Sequence, residues 1–249
     1  MSNNILCSVS GREYRAGCLP RKTKVGEIDP KTGKPFFEIY DPSKPLPGIA
    51  RAGTAIDSSL IWHIVNQANQ SSCCGCMGID MMMLIREIMG LNRVILSQAS
   101  LYGQGNGGRD EGMAIDTCLR LLKTVGACPV SLIDQYDWKG FGRGTWPDQW
   151  KEVAKLYRAV EVLDCPTVEL VHAANEAGHP VGYGAKGHAV VHIGPGRDIN
   201  SWGRDWGDDG IGPWVTSDAE LQRGLDLYGG FIVFLATDPD NDGDLPSPI

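Results

Sequence analysis

A chain of 249 residues, 42% hydrophobic and 21% charged, is long enough to bury a full core as one catalytic unit or as two closely packed subdomains. Its formal net charge of -7 offers no basic field to nucleic acid or to an anionic membrane surface, so neither is an expected partner. The first residues lack a charged segment followed by a long apolar run, and nowhere do eighteen apolar residues follow one another, so neither a secretion signal nor a membrane span is expected.

Residues 1–54 read as an arm, rich in turn formers such as Lys31-Thr32-Gly33-Lys34-Pro35 and Asp41 to Gly48. Residues 55–236 read as the main domain and 237–249 as an acidic tail. Within the domain, the small-residue stretch Asn69 to Met77 delivers thiols to an apolar segment, Met77 to Met89. Met81, Leu84, Ile85, Ile88 and Met89 recur at spacings of three and four before Gly90, which predicts a helix with Cys76 at its start. There the unpaired N–H groups and the positive end of the dipole favour thiolate over thiol. Gln70, six residues earlier, supplies an amide that with the Cys76 N–H makes two donors for an oxyanion. The plainer reading is that Cys76 is a buried core residue, as free cysteines often are.

Farther along, Leu96 to Tyr102 predicts a short helix capped by Ser97, followed by a glycine loop from Gly103 to Gly108. The apolar stripe from Asp110 to Val125 predicts a helix stopped by Gly126, with Cys118 in its core face. Trp138 to Pro147 reads as a loop, Pro147 to about Arg158 as a helix, and Thr167 to Ala177 as another, closed by Gly178. Strands begin at Pro180. Gly187 to Ile193 alternates so that His188, Val190 and His192 share a face, and a hairpin centred on Gly194 sets His188 directly opposite Asn200. His63, His172, His179 and His192 read as structural. Ser217-Asp218-Ala219-Glu220 is a capping box, and Phe231 to Leu235 a buried strand. The tail from Asp238 mimics a calcium loop but ends on Ile249 where a bidentate Glu belongs.

Gln70 to Cys76, Gly187-His188-Ala189-Val190 and the run Asn200-Ser201-Trp202-Gly203-Arg204-Asp205-Trp206-Gly207-Asp208-Asp209-Gly210 together resemble the papain-like (C1 family) cysteine peptidases, over roughly Val65 to Phe234. The resemblance implies an α+β fold of two subdomains, one helical and headed by Cys76, the other antiparallel and carrying His188 and Asn200. It implies Cys76 as nucleophile, His188 as its base, Asn200 as the orienting amide and Gln70 in the oxyanion hole. It also implies Gly107 and Gly108 as the backbone that pairs with substrate and Trp202 as the cover of the Asn200–His188 bond. The substrate is then a polypeptide, and no metal or cofactor is required. A zinc site of Cys73, Cys74, Cys76 and a histidine is poorly served by adjacent cysteines.

Three departures stand out. Met77 replaces an expected Trp, Ile211 to Trp214 replaces a more regular strand, and the position of the usual disulfide partner of Cys73 is Gly105. Free thiols and a cytoplasmic or virion-associated location follow as expectations. The arm either packs permanently on the body or blocks the cleft, and it is the expected contact for any assembly partner. The rival reading is a catalytically silent papain-fold component of a larger assembly such as a phage particle.

Overall fold

The computed structural model describes residues 4–6, 13–44 and 56–237. Within the arm, β1 (Asn4–Leu6) and β2 (Glu13–Arg15) pair antiparallel, and β3 (Cys18–Leu19) and β4 (Glu38–Ile39) follow. The helical part comprises α1 (Cys73–Ile88), α2 (Gln98–Asn106), the two-residue β5 (Met113–Ala114), α3 (Ile115–Thr124), α4 (Lys139–Arg143) and α5 (Trp150–Ala154). The strand-rich part comprises β6 (Ala159–Asp164), α6 (Val168–Glu176), β7 (Val181–Ala185), β8 (His188–Gly194), β9 (Arg197–Ile199), β10 (Ile211–Gly212), α7 (Asp218–Tyr228) and β11 (Gly230–Ala236). Seven strands form the main sheet in the order β10-β9-β8-β7-β11-β6-β4, antiparallel except where β4 joins β6. This is an α+β architecture, with helices and sheet largely segregated along the chain.

α1 lies between the two parts, packed on β7, β8 and β11 on one side and on α2 and α3 on the other. Every residue from Cys73 to Arg86 is buried, so the helix is apolar nearly all round rather than along one stripe. Small residues let it sit close: a side chain at Gly75 would meet the Gln98 carbonyl at 3.1 Å, and one at Gly78 the Cys118 sulfur at 2.9 Å. The helix begins at Cys73 and not at Met77, because the small Cys-Cys-Gly-Cys turn is itself buried between the layers.

The arm is less separate than its composition implies. β3 pairs with β5, β4 extends the main sheet, and Phe37 and Tyr40 are buried in the core. Arg21 reaches the buried Asp164 at 2.8 Å. The boundary at residues 54 and 55 and the tail beyond Thr237 lie outside the described residues. The glycine loop is mostly helical, since α2 runs on to Asn106 and ends on a left-handed Gly107. Lys139 to Arg143, expected as loop, forms a short helix, and the helix after Pro147 is only α5, because β6 starts at Ala159. α6, α7 with its Ser217 cap, and β11 stand where the sequence puts them, while α3 starts only at Ile115 because Met113 and Ala114 are taken up by β5. Among the described residues no helix is long and apolar enough to cross a membrane.

Candidate active site

The loop before α1 is tied down residue by residue. Gln67 donates its N–H to the Ser201 carbonyl at 2.9 Å, and the Ser201 hydroxyl donates to Gln67 Oε1 at 2.8 Å. Asn66 bridges to Trp202 and its Oδ1 accepts the N–H of Ala68, which takes a left-handed turn with φ 50°. Ser71 then donates its N–H to Asp110 Oδ1 at 2.8 Å, the same oxygen that accepts the Tyr102 hydroxyl at 2.8 Å. Cys73 follows as the first residue of α1, where backbone N–H groups have no helical partner and the dipole is positive.

His188 opens β8, and its Nε2 lies 2.8 Å from Asn200 Oδ1. The other ring nitrogen, Nδ1, is buried without a hydrogen-bond partner among the described residues, and the ring stands near enough to Cys73 to favour its thiolate. The hairpin register is two residues off the predicted one: Val191 pairs with Ile199 and His192 with Asp198. A shift of two keeps each side chain on its face, so His188 and Asn200 meet diagonally instead of head-on. Trp202 lies over the His188 ring with centroids 4.9 Å apart and a 33° tilt, as a cover that keeps water from the Asn200–His188 bond.

Two features were not legible in the sequence. Trp214 meets His188 edge-on at 5.2 Å, and its backbone N–H is held at 2.8 Å by Asp198 Oδ2. The other oxygen of that buried carboxylate lies 2.8 Å from His192 Nδ1. His192 is therefore part of the scaffold behind the site, which the predicted register concealed by placing it opposite the turn.

Four expected site residues fall elsewhere. Cys76 is the fourth residue of α1, so its N–H is spent on the Ser72 carbonyl at 3.0 Å and is not free to hold an oxyanion. Its thiol donates to Gln98 Oε1 on α2, and burial together with nearby Asp80 pushes it far above the ordinary thiol range. Burial and Cys74 raise the Cys73 thiol well above the ordinary thiol range too, and His188 opposes that rise. Gln70 turns its amide to the Tyr136 carbonyl at 3.4 Å, while the Gln67 amide donates inward to the Gln70 carbonyl at 2.9 Å. Gly107 caps α2, and Gly108 donates to the Gly103 carbonyl while packing on Gly142, so neither presents free backbone to the cleft.

The arm runs across all of this. Tyr14 stacks on Trp202 with centroids 4.6 Å apart and an 11° interplanar angle, and its hydroxyl donates to the Trp202 carbonyl at 3.2 Å. The Arg15 carbonyl accepts from Gln67 Nε2 at 3.1 Å. The Gly17 carbonyl accepts from the Met113 N–H at 2.8 Å, and Cys18 donates its N–H to the carbonyl of Gly187, the residue before His188, at 3.0 Å. Gly17 is obligatory: any Cβ would lie 2.0 Å from the Ser71 carbonyl oxygen. Under this cover Cys73 and His188 have no exposed surface.

The fold is that of the papain-like cysteine proteases. No protein-family model matches the sequence, and no curated protein matches it at the sequence level. Solved structures do match. Xylellain, a cysteine protease from Xylella fastidiosa, is 17% identical with a TM-score of 0.66, covering 87% of this chain and 94% of that one. A procathepsin B from Trypanosoma congolense is 15% identical with a TM-score of 0.57, covering 83% and 85%. The Carica candamarcensis cysteine protease CMS1MS2, solved with E-64, is 16% identical with a TM-score of 0.54, covering 71% and 94%. At these identities the likeness is one of fold.

Proposed function

We propose that this protein is a cysteine peptidase whose nucleophile is Cys73. The observation that carries this reading is His188, held by Asn200 on one ring nitrogen, its other nitrogen buried and without a hydrogen-bond partner among the described residues, beside Cys73 at the start of α1. A proton passing from Cys73 to His188 leaves a thiolate beside an imidazolium. The thiolate attacks a peptide carbonyl carbon, and the oxyanion takes the Cys73 N–H and the Gln67 Nε2 amide as donors. His188 then protonates the leaving amine, and water hydrolyses the thioester. Asn200 holds the ring in plane through both steps.

Gln67 Nε2 now serves the Arg15 carbonyl, so the described arm occupies one of the two oxyanion donors and substrate must displace it. The test is activity on an unfolded protein substrate such as denatured casein. Cys73→Ala is expected to lose about a thousandfold or more. Cys76→Ala is expected to stay within about threefold, because its thiol serves packing only. Loss in Cys76→Ala with retention in Cys73→Ala would restore the other cysteine as nucleophile; activity in both would leave the fold without this chemistry.

A further inference from the structure

The proposed mechanism uses one thiol, yet three others are buried around it. Cys18 of the arm, Cys74 and Cys118 have no role in acyl transfer, and Cys18 and Cys74 converge on one residue. Cys18 is the partner of Met113 in the β3–β5 pair, and the Cys74 sulfur donates to the carbonyl of that same Met113 at 3.0 Å. Cys118 lies behind, donating to the Cys74 carbonyl at 3.1 Å. Cys18 is fixed from two sides, by its N–H on Gly187 and by Gly184, whose missing Cβ would fall 2.9 Å from the Cys18 sulfur. Met113 thus brings the two thiols, Cys18 and Cys74, to one place in the core. Both are reduced in the structure.

We infer that Cys18 and Cys74 form an oxidation site, at which a hydroperoxide closes a disulfide between the arm and the second residue of α1. With the arm lifted, Cys18 is an accessible thiol; its sulfur attacks hydrogen peroxide, the O–O bond breaks, one oxygen leaves as water and the other stays as a sulfenic acid. Redocking presents that sulfur to Cys74. The Cys74 sulfur attacks it, the S–O bond breaks, and hydroxide leaves with the Cys74 proton as a second water. Two thiols are oxidised by two electrons and one peroxide is reduced to two waters. The sulfenic acid adds a single oxygen, so it fits where a bulkier adduct would not. The crosslink spans residues 18 and 74 and pins the strand between Arg15 and Leu19 across Cys73. Its consequence, a peptidase held shut by oxidation, rests on the function proposed above; the crosslink itself does not.

The test uses the full chain. The Cys73→Ala variant, which removes competing oxidation of the nucleophile, is treated with hydrogen peroxide, alkylated and digested without reductant. A Cys18–Cys74 linked peptide is expected. So is amide hydrogen exchange through Gly17 to Leu19 slowed about tenfold or more and restored by dithiothreitol, since the cross-link suppresses local opening. Recovery of both cysteines as alkylated monomers, or a link from either to Cys7, Cys118 or Cys165, overturns the site. The same mapping on the unsubstituted chain guards against a folding defect in the variant; there a Cys18–Cys73 link with Cys74 free also overturns it. The two readings fail separately. A Cys18–Cys74 link in a chain whose Cys73 shows no selective reactivity supports the site and contradicts the peptidase, and a reactive Cys73 with no such link does the reverse.

Discussion

A thiol becomes a nucleophile through its neighbours, and two cysteines three residues apart on α1 have different ones. Cys73 meets an imidazole, while Cys76 meets the Gln98 amide oxygen and a buried carboxylate. The chain contains the spacing Gln-x5-Cys twice, as Gln67…Cys73 and as Gln70…Cys76, and composition alone does not separate them. What separates them is the helix start: four more residues of α1 put Cys73 at the end of the dipole and spend the Cys76 N–H inside the helix. His188 on one side, and Asn200 with Trp202 on the other, stood out because each belongs to its own short contiguous motif. At the same scale, burial holds the His179 ring neutral and depresses its pKa to about 4. The unfolded chain takes up a proton near pH 6.5 that the folded chain refuses until about pH 4. Stability from this residue is thus full above pH 6.5 and lost as pH falls through that window, to about 3 kcal/mol. Urea unfolding from pH 7 to 4.5 is expected to show a steeper loss in the parent chain than in His179→Leu; equal slopes would contradict it.

At the scale of elements, periodicity located α3, α6, α7 and β11, and failed where tertiary contacts override it. α1 is buried on all sides, so its first turn of small residues carries no stripe to read. The β8–β9 hairpin is centred one residue beyond the assumed Gly194, which moves each cross-strand partner by two and leaves the faces right and the pairs wrong. Close approach between elements depends on glycines that the sequence does not single out. Gly224 on α7 is one: a Cβ there would lie 2.4 Å from the Gly184 carbonyl oxygen on β7. Backbone cannot yield as a side chain tip does, so Gly224→Ala is expected to cost about 1–3 kcal/mol of unfolding free energy despite its better helix propensity. Stabilisation by that change, measured in urea, would mean α7 is free to move off the sheet.

At the scale of the whole molecule, the arm and the cleft form one structure. The arm strand contributes a stacked Tyr14, three hydrogen bonds through its backbone and a Gly17 packed against the Ser71 carbonyl, where its turn-rich composition had left open whether it packs on the body or blocks the cleft. Access to Cys73 is then set by arm opening. Tyr14→Ala removes a stacked aromatic and a hydrogen bond, a loss on the order of 1–3 kcal/mol, and is expected to raise the alkylation rate of Cys73 about tenfold with unchanged far-UV circular dichroism. An unchanged rate would place the barrier outside the arm.

On the function proposed above, Cys73, and no other cysteine, carries an activated thiolate. Site-resolved mass spectrometry after limiting iodoacetamide at about pH 6, where a thiol of ordinary pKa near 8.5 is almost wholly protonated, reads this directly. The structure predicts modification concentrated at Cys73 and lost in His188→Ala. Modification concentrated at Cys76, or spread evenly over the cysteines, would contradict it.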